Sequence, residues 1–279
     1  MKCPVGKAFL LCCLAVTCLV FTGCGGSGGG GGSLAGGGIG GTGVTASGAI
    51  TGFGSIFVNG IEFETVDASR DVNGEITVSD GTDDDTVLGI GMVVTVDGTL
   101  NDDGVTGTAT SIQYDPTVQG PVNDIDPFTR RFTVMGISID VESNTVFSNV
   151  TFDTLQPDDW VDVSGFFGAD GVLQATRIER KDESEIVVKG TVTGLDNAAF
   201  TLEVEHAASS YPVDTTDAEL PEGGLADYQY VEVKGTLNNN VIIASHVELK
   251  SEGFDDTENA SVASIEGIVT DFNGIDDKV

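Results

Sequence analysis

The stretch that decides the fold is Val94-Thr95-Val96-Asp97-Gly98, because the chain repeats this strand twice more. Its counterparts are Val161-Asp162-Val163-Ser164-Gly165 and Val231-Glu232-Val233-Lys234-Gly235, which lie 67 and then a further 70 residues along the chain. A second shared strand follows each copy after a short turn, at 109–112, 175–178 and 244–247. Similarity at a nearly fixed period indicates a tandem array of small domains.

The repeated strand alternates apolar and polar residues, which is typical of a strand with one buried face. The two valines of each copy are predicted to face a core. The residues between them, Thr95, Asp162 and Glu232, are predicted to face water. The turns after each copy are rich in Asn, Asp and Gly, which tolerate the positive φ of tight hairpins.

A shared first strand opens each unit and sets the units at 48–115, 118–181 and 185–250. Two further strand patterns precede the repeated strand in each unit, and no window shows sustained helical periodicity. Five short strands in a unit of this size predict an all-β fold of tandem, small, five-stranded (OB-like) β-barrels. The connectors are a few residues long, so we expect a semi-rigid rod.

Residues 263–279 carry the start of a fourth unit, with the first-strand signal at Gly267-Ile268-Val269. A segment of this length cannot form a domain. It is either the beginning of a longer array or a strand that pairs with an exposed edge of the third unit.

The N-terminus carries an export signal. Lys2 and Lys7 precede an apolar run from Ala8 to Phe21, which is too short to span a bilayer comfortably and fits a signal peptide over 1–23. The run ends in Phe21-Thr22-Gly23-Cys24, which resembles the bacterial lipobox except that Phe21 replaces the usual Leu. This resemblance implies that Cys24 becomes the first residue of the mature chain and is lipidated. The membrane would then be a partner of the protein, bound through the lipid on Cys24. The alternative is an ordinary cleaved signal with a free Cys24.

Residues 24–47 are predicted to be a lipidated Cys followed by a Gly-rich flexible linker. All five cysteines lie at or before Cys24, which excludes a disulfide framework or a Cys nucleophile from the mature chain. The formal net charge of −32 excludes nucleic acid as a partner, because phosphates would be repelled. We expect a protein held at the bacterial envelope, at the outer membrane or cell surface.

The acidic turns of the first unit are the candidates for metal binding. Residues 69–80 partly match a calcium loop, and residues 80–85 hold four carboxylates. The calcium candidates are Asp71, Asn73, Asp80, Asp83, Asp84 and Asp85. Asn73-Gly74 fits a type I′ hairpin turn equally well, and the acidic loop fits a solvated surface.

No catalytic residues are predicted. His206 and His246 are expected at the surface, and Trp160, which aligns with Tyr230, is expected to be a packing residue at a barrel end. The sequence holds no nucleophile elbow, phosphate loop or metal-ligand cluster, so we expect a protein that is not an enzyme and has no cofactor, calcium excepted.

Residues 48–63, Gly91-Met92-Val93-Val94 and the strand 106–112 resemble the opening and later strands of bacterial lipoproteins built from repeats of domain of unknown function 5666. The resemblance covers 48–250 and implies a lipobox, a Gly-rich linker and tandem all-β units. It implies no established activity.

These observations favour a non-catalytic envelope lipoprotein that acts as a display, adhesion or binding module for a protein or a glycan. The alternatives are an accessory subunit of an envelope secretion or polysaccharide system and a calcium-binding surface protein.

Overall fold

The computed structural model describes residues 42–182, 185–251 and 261–269. The predicted signal peptide, Cys24 and most of the linker lie outside these residues, as do residues 270–279. The described chain is almost entirely β, as predicted.

The first unit closes a ring of five strands. They are β1 (Thr42–Gly52), β2 (Ile56–Val58), β3 (Ile61–Glu64), β6 (Val93–Leu100) and β7 (Thr106–Tyr114). The ring order is β1-β2-β3-β7-β6, in which β6 returns to β1 and only the β3–β7 pair is parallel. A hairpin of β4 (Ser69–Val72) and β5 (Glu75–Val78) extends beside β7, and a short helix α1 (Asp84–Val87) follows it.

The second unit repeats this ring. Its strands are β8 (Val118–Asp126), β9 (Arg131–Val134), β10 (Ile137–Asp140), β12 (Trp160–Phe167) and β13 (Leu173–Lys181). The order is β8-β9-β10-β13-β12, and β12 pairs back with β8. The short strand β11 (Val146–Ser148) adds to β13, and a 3-10 turn follows at Phe152–Thr154.

The third unit has the same closure. Its strands are β14 (Ile186–Asp196), β15 (Ala199–Val204), β16 (Ser210–Asp214), β17 (Tyr230–Asn238) and β18 (Val241–Leu249). The order β14-β15-β16-β18-β17 closes through β14 and β17. The predicted five-stranded barrel is therefore present in three consecutive units, each with the same strand order.

The interior of each ring is filled by the inward residues of the repeated strand and their neighbours. Val94, Val96, Val161 and Val163 are buried, as are Val231 and Val233 in the third unit, which confirms the predicted inward face. The second and third units share one continuous apolar cluster, and the first has its own.

The glycine that ends each repeated five-residue motif lies at a β-bulge inside its strand. The strand register shifts at Gly98, Gly165 and Gly235. A Cβ at these positions would lie 2.1 to 2.2 Å from a carbonyl oxygen of the neighbouring strand. The repeat retains glycine there because no side chain fits between the two backbones.

Two expectations about the ends of the array need correction. β1 begins at Thr42, within the predicted linker, because Val44 and Ala46 are buried in the first core. The strand β19 (Val262–Ile265) does not pair with the third unit. It lies parallel to β1 of the first unit, with Val44 opposite Val262.

Candidate functional site

The three units meet around one polar cleft, which we call the central cleft. Its volume is about 580 Å³. Side chains from every unit and from the C-terminal strand segment line it, among them Thr95, Asp115, Phe166, Lys189, Tyr230 and Glu266. The three rings also lie within one compact unit, so the expected rod is wrong. Contacts between the third unit and the linker after the first unit hold the rings together.

A buried group of charges, here called the lysine cluster (Lys189, Lys234, Lys250, Asp115 and Glu232), makes those contacts. Lys234 Nζ lies 3.4 Å from Asp115 Oδ1 and 3.5 Å from Glu232 Oε1. Lys250 Nζ lies 3.2 Å from Asp115 Oδ2. Lys189 Nζ lies 3.3 Å from Glu232 Oε2. The cluster therefore ties β14, β17 and the end of β18 to the linker between the first two units.

Because these groups are largely buried, each stays charged only through the opposite charges next to it. Burial alone would raise the pKa of the Asp115 carboxyl, but the charges of Lys250, Lys234 and Lys189 hold it below its ordinary value. Burial opposes the charge of Lys250 as well, yet Glu232, Asp115 and Glu248 raise the pKa of Lys250. Glu232 is 0% exposed, and within the described part of the chain neither of its carboxylate oxygens accepts a hydrogen bond. Its charge is balanced by its ion pairs with Lys189 and Lys234 and by the nearby charge of Lys250.

The junction between the first and second units uses hydrogen bonds instead. The Tyr114 hydroxyl donates to Asp162 Oδ1 at 2.7 Å and lies 3.2 Å from Ser164 Oγ. Burial raises the pKa of Asp162 to about 6, although the Tyr114 hydrogen bond, Lys181 and Arg177 lower it and Glu179 raises it. Burial and the charge of Asp162 raise the pKa of Tyr114.

The prediction that Asp162 and Glu232 face water is wrong. Asp162 is 5% exposed and Glu232 is fully buried, whereas Thr95 at the same repeat position is half-buried at the cleft wall. Alternation correctly put these residues on the outer face of their own barrels. The outer face, however, meets a neighbouring unit.

The calcium candidates do not converge on one point. Arg70 Nη1 lies 2.9 Å from Asp83 Oδ1 and 2.8 Å from Asp84 Oδ1. Thr65 and Ser79 also donate to the Asp84 carboxylate. A buried arginine thus relieves the repulsion within this loop.

The other candidates have separate roles in the loops. Asp71 accepts the amide of Gly74 in the β4–β5 turn, where Asn73 and Gly74 both have positive φ, as the type I′ interpretation requires. Asp80 accepts the amide and hydroxyl of Thr82, and Asp85 lies in α1. Within the described ranges, no group of three or more His, Cys, Asp and Glu residues is arranged to hold a metal ion.

The histidines and the aromatic pair Trp160 and Tyr230 lie at separate places in the second and third units. His206 stacks on Phe167 with ring centroids 4.3 Å apart, and His246 lies beside the exposed Glu219. Trp160 packs, partly buried, against the core of the second unit, while its counterpart Tyr230 lines the central cleft and donates to Glu205. No helix in the described residues is long and apolar enough to cross a bilayer.

Sequence reasoning missed the lysine cluster and Tyr114. One signal was available, since three of the few lysines after Cys24 fall in the third unit or just beyond it. The partner Asp115 is 119 residues from Lys234 and 135 from Lys250, and no local pattern joins residues so far apart.

Comparison with known proteins adds a family for two of the units. Residues 119–179 and 189–248 match the family described as domain of unknown function DUF5666. These ranges coincide with the second and third rings, and the first ring has the same strand order outside them. No curated protein matches the chain. Among solved structures, "drosophila Unr CSD456" matches at 15% identity over 60% of this chain and 80% of that chain, with a TM-score of 0.20, too low to support an inference.

Proposed function

The chain carries two tandem DUF5666 domains, and we propose that it is a non-catalytic binding protein of the bacterial envelope, anchored through a lipidated Cys24. The observation that carries the binding role is the central cleft, which all three units and the segment after β19 build together. Barrels of this size fill their own interiors, so a ligand would bind between units rather than inside one.

We propose a non-catalytic role because of how the charged side chains of the cleft are held. Its lysines are engaged in ion pairs, and its carboxylates in ion pairs or in hydrogen bonds with neutral donors of the fold. A general base or nucleophile needs a partner that orients it toward a substrate. These groups are instead oriented toward their neighbours in the fold, which suits rigid recognition.

The anchor is tested by metabolic labelling with an alkyne fatty acid in a bacterial host that processes lipoproteins. We expect the wild-type chain to be labelled and to sediment with membranes, and Cys24→Ser to lose both properties. Cys18→Ser, within the predicted signal peptide, is the matched control and should be labelled normally. Labelling of Cys24→Ser would refute the anchor.

The binding role is tested by a thermal-shift measurement on the full chain, solubilised in a detergent whose headgroup contains no sugar. The probes are oligosaccharides, peptides of each charge and calcium. Thr95→Trp fills the cleft from its wall, whereas Thr99→Trp places the same side chain on the same strand away from it. We expect at least one probe to raise the melting temperature of the wild type. Thr95→Trp should abolish this rise, and Thr99→Trp should retain it. A melting temperature that no probe changes would contradict the proposal.

Calcium is covered by the same measurement. If the acidic turns of the first unit bind calcium, millimolar calcium raises the melting temperature relative to chelator, because a ligand that binds only the folded state stabilises it. The Arg70 ion pairs lead us to expect no such rise.

A further inference from the structure

The carboxylates in the wall of the central cleft already hold protein donors. Asp97 accepts from Thr45 and Ser111, and Glu205 accepts from Tyr230. Glu266 accepts the amide of Ala49 at 2.7 Å. Asp115 is paired with the lysines described above. An ionised carboxylate has about four acceptor positions, so each of these groups retains acceptor capacity toward the cleft.

The lysines in the wall are also compensated. Lys189 is paired with Glu232, and Lys250 lies 3.2 Å from Asp115 and 3.0 Å from Glu248. A charged ligand would have to displace one partner from a pair and leave the other charge partly buried. Such an exchange is unfavourable unless the new pair is at least as well hydrogen-bonded. The cleft therefore offers many hydrogen-bond acceptors and no unpaired lysine, so nothing in it favours an anionic ligand.

Aromatic and hydroxyl side chains complete the wall. Phe166, Phe167 and Tyr230 line the cleft together with Thr95, Gln113 and Thr117. Aromatic side chains bind apolar C–H surfaces, and Tyr combines such a surface with a polar tip. A ligand that fits this wall has hydroxyls around its edge, apolar faces and no negative charge.

We propose that the central cleft binds an uncharged oligosaccharide, and this assignment rests on the binding function proposed above. A cavity of about 580 Å³ lies within the range typical of small-ligand sites. The hydroxyls of the sugar donate to the remaining acceptor positions of Asp97, Asp115, Glu205 and Glu266, and its ring faces pack on the aromatic side chains. The surrounding excess of negative charge repels acidic glycans.

The test is calorimetric titration of the full chain in a sugar-free detergent. The neutral probes are maltopentaose, cellopentaose and the pentamers of β-1,3-glucan and N-acetylglucosamine. The charged probes are oligogalacturonate and chitosan pentamers. We expect at least one neutral probe to bind, with an affinity that changes less than about twofold between low and high salt, because no net charge is exchanged. Thr95→Trp should weaken it by about tenfold or more and Thr99→Trp should not.

The outcomes separate the two proposals. If only a charged probe binds, and Thr95→Trp blocks it, the cleft is a binding site but the neutral-glycan assignment is wrong. If a neutral probe binds equally well to Thr95→Trp, the glycan site lies elsewhere and the assignment to the cleft fails. If none of these sugars binds, the assignment fails, and the binding function fails with it only if the peptides and calcium of the thermal-shift test also leave the melting temperature unchanged.

Discussion

Asp162 and Glu232 occupy the same position in two consecutive units, and both are buried between barrels, yet they are stabilised in different ways. Asp162 is hydrogen-bonded to a tyrosine and has a raised pKa. Glu232 accepts no hydrogen bond within the described residues and is balanced by Lys189 and Lys234. The comparison shows that the residues shared by the repeats form the barrel. The residues that differ on its outer face determine how each barrel packs against the next unit. Three substitutions test this contrast, and a fourth tests the segment after β19.

The largest effect is expected at the charged junction, from Lys234→Met. This change preserves most of the side-chain volume but leaves Glu232 with one lysine and Asp115 with another. Breaking one partner out of a buried ion pair costs about 3–5 kcal/mol, because the remaining charge stays desolvated. We expect a loss of this size in the free energy of unfolding, measured in urea at neutral pH.

Arg131→Met is the matched control for that substitution. Its ion pair with Asp140 is partly exposed, and such pairs contribute about 0–1 kcal/mol. Equal losses in the two variants would mean that the lysine cluster matters no more than a surface pair. Adding Glu232→Gln to Lys234→Met should recover part of the loss, because the orphaned charge is removed.

The junction at Asp162 is tested by changing the pH. Folded Asp162 holds its proton up to about pH 6, whereas the unfolded chain releases it near the ordinary pKa of 3.8. Its contribution to stability is therefore fully present below the unfolded pKa and is lost as the pH rises through about 6. The difference corresponds to about 3 kcal/mol.

Asp162→Asn isolates that contribution. The amide oxygen can still accept from Tyr114, but no proton is exchanged, so we expect a flatter stability profile between about pH 4 and pH 8. At the alkaline end the variant should be more stable than the wild type. Thermal melts across this range measure both effects, and parallel profiles would show that Asp162 does not titrate as its burial requires.

A smaller effect is expected from Tyr114→Phe. The buried Asp162 and Ser164 lose their shared partner, and an unsatisfied buried polar group costs about 1–3 kcal/mol. Because the tyrosine hydrogen bond lowers the pKa of Asp162, its loss should also raise the pH at which the stability contributed by Asp162 is lost. Tyr228→Phe, at an 83% exposed tyrosine, should change neither property. A Tyr114→Phe variant that matches this control would show that the junction does not depend on the hydroxyl.

Much of the barrel could be predicted from the sequence, because its determinants are local. The alternation around Val94, the turn residues and the repeat period each act within a few residues. Burial of Asp162 could not be predicted, because alternation says which side of a sheet a residue takes and not which element packs against that side. The central cleft was missed for a related reason, since it is built by residues from three repeats that share no motif.

The smallest effect tests whether the segment after β19 is a true wall of the cleft. Glu266→Ala removes the acceptor of the Ala49 amide, and we expect a loss of about 0.5–1.5 kcal/mol. The readout is local, because hydrogen exchange at the Ala49 amide should accelerate while the buried strands of the second and third units keep their protection. Glu222→Ala, at an exposed acid in the third unit, should leave the exchange of Ala49 unchanged. If Ala49 exchanges equally in both variants, the segment after β19 does not close the cleft.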